Sequence, residues 1–97
     1  MTDRIVALHP QKGKQGTNFD RHKYETIKDA ILLATEERVV IAFKDLAEAV
    51  RSRIAADFAG SVSWYVTTVK LDLEARGLIE RIPGMRPQHL RLTHRTG

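Results

Sequence analysis

The run L-D-L-E-A-R-G-L-I-E-R, Leu71 to Arg81, followed by P-G-M-R-P-Q-H-L-R-L-T, Pro83 to Thr93, constrains the fold of this 97-residue chain most tightly. It reads as the end of a helix, a glycine stop, a strand, a tight turn and a second strand. Glycine just past a helix tolerates the left-handed conformation because it lacks a Cβ. Leu78 is then placed to touch Leu73 one turn back, the apolar contact that accompanies such a cap. Pro83 and Gly84 suit the two central positions of a type II turn. Leu90 and Leu92 alternate with His89, Arg91 and Thr93, so one strand face is apolar and the other polar.

Upstream, the periodicity supplies three helices. Asp20 is a good N-cap for the first, and Tyr24, Ile27, Ile31 and Ala34 recur on one face. This helix is expected to end near Glu36 to Arg38. Val39, Val40 and Ile41 are β-branched and suit a short strand. Phe43, Leu46, Ala47, Val50 and Ile54 form the buried stripe of a second helix, whose start lacks a Ser or Thr cap at Ala42. Asp57 to Gly60 makes a turn. The third helix is expected from about Ser61 to Arg76, with Val62, Val66, Val69 and Leu73 toward the core. Ser63, Thr67, Lys70 and Glu74 are expected roughly opposite.

The element order is therefore helix, strand, helix, helix, strand, strand. It predicts one α+β domain over residues 20–97, a winged helix-turn-helix with three helices and a small antiparallel sheet carrying a hairpin wing. Residues 1–19 read as a flexible or strap-like N-terminal arm, in which Ile5 to Leu8 could form a short strand.

Composition narrows the function classes. The chain has no cysteine, which excludes disulfides, thiol catalysis and cysteine-ligated zinc. Its apolar runs fall far short of the ~20 residues that span a bilayer. The start M-T-D-R-I-V-A-L-H-P lacks the features of a signal peptide, and a cytoplasmic location is expected. The net charge is +4, and residues 61–97 carry six basic against three acidic side chains. From Arg81 onward there are four arginines and no acid. A neutral body with a basic end suits a polyanionic partner there, although the same charges would serve solubility.

Residues Leu73 to Arg81, L-E-A-R-G-L-I-E-R, resemble the junction of recognition helix and wing in bacterial winged helix regulators of the MarR and PadR type. The closing L-R-L-T resembles their second wing strand. The stretch G-S-V-S-W-Y-V-T-T-V-K-L-D-L-E-A-R-G-L-I-E-R, Gly60 to Arg81, is also similar to a family of short bacterial proteins of unknown function. The wing tip departs from the usual MarR pattern, reading M-R-P-Q-H where an acid and two arginines are common.

In a helix-turn-helix, the second helix of the motif enters the major groove. The expected DNA contacts on this helix are Ser61, Ser63, Thr67 and Lys70. Those on the wing are Arg86, Gln88, His89 and Arg91, and Lys12, Lys14, Arg21 and Lys23 could add phosphate contacts from the arm. Trp64, the only tryptophan, is expected to be partly buried against the second helix or the arm. His89 and His94 lack a third metal ligand nearby in sequence, and no catalytic constellation, metal site or cofactor is expected. The predicted function is binding of double-stranded DNA as a small transcription regulator or accessory factor. The alternative is a protein-interaction module on the same fold, and a homodimer or protein partner remains open.

Overall fold

The computed structural model describes residues 4–7 and 17–93. Its elements are β1 (Arg4–Ala7), β2 (Thr17–Asp20), α1 (Arg21–Arg38), β3 (Ile41–Ala42), α2 (Phe43–Arg51), α3 (Val62–Ala75), β4 (Ile79–Arg81) and β5 (His89–Leu92). Strands β1 and β2 pair antiparallel, with Arg4 opposite Asp20 and Ala7 opposite Thr17. The remainder of the arm, with Lys12 and Lys14, lies outside the described residues, as do His94 and Arg95.

Helix α1 starts where Asp20 accepts a hydrogen bond from the His22 amide at 3.1 Å. That bond satisfies one of the amides a helix leaves unpaired at its start. Tyr24, Ile27, Ala30, Ile31, Ala34 and Thr35 are buried along its inner face. All of these but Thr35 meet Leu46 and Val50 of α2, Val66, Val69 and Leu73 of α3, and Ile41, Ile79 and Leu90 of the sheet in one core. The sheet order is β3-β5-β4, all antiparallel, with Leu90 between Ile41 and Arg81. This is a winged helix-turn-helix arrangement: α2 and α3 form the motif, and β4 and β5 form the wing.

The end of α3 follows the sequence reading closely. Gly77 has φ 76°. The Leu78 amide donates to the Leu73 carbonyl at 2.9 Å and the Gly77 amide to Glu74 at 3.1 Å. These two bonds define a Schellman cap. They turn the chain sharply into β4, so the wing begins one residue after the helix is closed.

The strand expected at Val39 to Ile41 is instead Ile41–Ala42. Val39 has φ 63° and ψ −53°, and the Val40 amide donates to the Arg38 carbonyl at 2.6 Å, which is a γ-turn. A β-branched residue in this region is strained by about 1–3 kcal/mol. Its side chain is 72% exposed. The turn reverses the chain in a single residue and leaves only Ile41 and Ala42 to pair with β5.

Candidate nucleic-acid interface

Ser61 is the N-cap of α3 and accepts from the Trp64 amide at 3.2 Å. Its side chain is therefore occupied in starting the helix. Ser63 and Thr67 follow on the exposed side, one turn apart. The Thr67 hydroxyl donates to the Ser63 carbonyl at 2.9 Å. The Ser63 hydroxyl accepts from Arg51 Nη2 at 3.1 Å. Arg51 is in the last turn of α2 and also faces Glu48 at 3.6 Å. The bond from Arg51 to Ser63 thus bridges the two helices of the motif at the surface. Nothing in the local sequence marks Arg51, because its partner lies across the turn.

That turn is held by an aromatic cluster. Phe58 and Tyr65 meet edge to face at 5.2 Å, and Tyr65 and Trp64 at 5.0 Å. Gly60 has φ 109°, and a Cβ there would lie 2.8 Å from the Tyr65 ring, so the ring and the backbone approach as closely as only glycine permits. Lys23 Nζ stands 5.7 Å from the Tyr65 ring centroid and 6.0 Å from that of Phe58. Lys23, a possible phosphate contact from the sequence, is thus placed over aromatic rings. Arg21 lies 4.0 Å from Glu25. Trp64 remains 49% exposed, and its ring meets Tyr65 of the same helix.

Lys70 corrects the sequence reading. Helical spacing predicts it on the outward face, but it is only 3% exposed. Its Nζ lies 3.2 Å from Glu74 Oε2 and 4.8 Å from the Phe43 ring centroid. Burial lowers the Lys70 pKa from its ordinary value, against the opposing pull of Glu74. Glu74 also receives Arg81 Nε at 2.9 Å, so Lys70, Glu74 and Arg81 link α3 to β4. Helical spacing misplaced Lys70 because α2 and β4 cover more of α3 than the apolar stripe alone indicates.

Asp72, a charged residue, is fully buried. It accepts from Arg76 Nε at 2.8 and 2.9 Å and from the Tyr24 hydroxyl. Arg76 Nη2 donates in turn to the Val6 carbonyl at 3.2 Å. The Tyr24 phenol is raised well above its ordinary range, first by burial and then by its hydrogen bond to Asp72. This network joins α1, α3 and β1.

The wing candidates also separate. Arg86 is exposed, and among the described residues it takes part in no ion pair. Arg91 Nε is 2.5 Å from Glu80 Oε2 of the neighbouring strand. Gln88 faces inward: its carbonyl accepts from the Phe43 amide at 2.8 Å, and its side-chain oxygen is buried. His89 Nδ1 lies 2.6 Å from the Pro87 carbonyl. A carbonyl can only accept, so Nδ1 carries the proton. Ser63, Thr67, Arg51, Arg86 and Arg91 are therefore exposed, with Arg51 and Arg91 each beside a carboxylate, while Lys70 is buried and Gln88 and His89 are half-buried.

Among the described residues, no helix is long and apolar enough to cross a membrane, and no three His, Asp or Glu side chains stand together as metal ligands. Residues 4–90 match a family of unknown function (DUF6958), and the chain belongs to that family. No curated protein and no solved structure matches the chain.

Proposed function

We propose that this member of the family binds double-stranded DNA as a small transcription regulator or accessory factor. The observation that carries the reading is the exposed N-terminal half of α3, where Ser63 and Thr67 stand beside Arg51 of α2. In this motif, that part of the helix meets base edges while neighbouring groups hold phosphate. Arg51 would take a phosphate near the turn, and Arg86 would take phosphate or enter the adjacent minor groove. The resemblance of Leu73 to Arg81 to the helix–wing junction of MarR and PadR regulators adds support. A gel-shift series with random duplex DNA at several salt concentrations tests it. Binding that weakens steeply with salt is expected. No binding at low salt overturns it.

A second reading, a protein-interaction module, is favoured by Trp64, which is 49% exposed on the same helix. Tryptophan is among the residues that most often anchor protein interfaces. Association through such a surface would not weaken with salt as DNA binding does, so the same series separates the two.

A further inference from the structure

An open cleft of about 450 Å³ lies between the end of α1 and the wing, lined by Thr35, Glu36, Val39, Glu80, Arg91 and Leu92. We infer that this cleft binds a small organic ammonium ion with a compact apolar body.

Its walls supply the apolar half of that match. Val39 is held outward by the γ-turn at φ 63° and is 72% exposed. Strained backbone of this kind concentrates at ligand clamps and switch regions. Leu92 is the second apolar residue of the lining. The Thr35 hydroxyl is spent on the Ile31 carbonyl at 2.7 Å, so it offers the cleft little polarity.

The charge supplies the other half. Arg91 and Glu80 satisfy each other at 2.5 Å. Glu36 is exposed and has no ion pair among the described residues. It sits in the last turn of α1, where the helix already carries partial negative charge. A carboxylate at that end is repelled by the helix that bears it, and a cation relieves the repulsion. The volume suits a small molecule, so we commit to a free amine over a longer chain laid across the surface. Because the lining comes from α1, β4 and β5, an occupant would touch the wing and the helical body together.

The test is a titration of the isotopically labelled full chain, without nucleic acid, with benzylamine, benzyl alcohol and benzoate, followed by backbone amide shifts. Its outcome is thus separate from that of the gel shift. Saturable shifts at Thr35, Glu36, Val39 and Leu92 are expected at millimolar benzylamine, with benzyl alcohol weaker and benzoate weakest. Glu36→Gln should weaken benzylamine by roughly threefold, the scale of an exposed ion pair, and leave benzyl alcohol unchanged. Glu36 is exposed, so this variant keeps the fold, which its unshifted core amides would verify. Equal binding of all three probes, preference for benzoate, shifts elsewhere, or no shifts at all would each overturn the inference.

Discussion

The Tyr24 hydroxyl donates to the Asp72 carboxylate across 48 residues of sequence, inside the contact between α1 and α3. The same carboxylate holds Arg76, which reaches the carbonyl of Val6. One buried acid therefore orients two helices and the N-terminal strand. Removing the phenol leaves that acid short of a partner. Tyr24→Phe should lower stability at pH 7 by about 1–3 kcal/mol. The pH dependence has a defined sign. A phenol raised above its ordinary value of 10.0 contributes stability that is complete below pH 10 and lost as pH climbs above it. Denaturant melts from pH 7 to 11 should fall more steeply for the wild type than for Tyr24→Phe. Parallel curves would show that the phenol does not titrate this way.

Lys70 is a structural cation. Lys70→Ala should cost about 2–3 kcal/mol, less than the ~3–5 kcal/mol of a fully orphaned buried partner, because Arg81 still holds Glu74. The salt dependence of any DNA binding should stay unchanged. A stable variant with a shallower salt slope would return Lys70 to the interface.

Gly77→Ala should destabilise the domain by about 1 kcal/mol, since φ 76° penalises a Cβ. Thermal melts suffice to check it. Equal stability would mean the cap tolerates a side chain.

The wing arginines should differ. If DNA is bound, Arg86→Ala should weaken all duplexes alike and lower the salt slope by about one unit. Arg91→Ala should change the slope less, because Glu80 already neutralises Arg91. Equal effects would show that the Glu80 pair opens on binding.

Thr67 is the candidate for base readout. Thr67→Ala should alter the sequence preference selected from a random duplex library, whereas Arg51→Ala should lower affinity for every sequence. An unchanged preference in Thr67→Ala would move readout to Ser63 or the wing.

How far the site was legible follows from the range of each interaction. The Asp20 cap, the stripe of α1 and the Gly77 stop are local: each depends on residues within a turn or two. The site was less legible. Ser61, a contact candidate by sequence, serves as the cap, because a serine before a helix can do either. The pairing of Arg51 with Ser63 has no local signature. Arg91 and Glu80 oppose each other only once β4 and β5 are in register.

Element order, the glycine stop and the apolar faces are written in the residues themselves, because periodicity and capping act over a few residues along one chain direction. Tertiary structure alone decided which polar side chains face outward. Helical spacing assigns an angle around an axis, but burial depends on how wide a neighbour covers that axis. Helix α2 and strand β4 cover Lys70 and Glu74, and the contact with α1 encloses Asp72. The exposed end of α3 was left to Ser63, Thr67 and the arginine that α2 brings beside them.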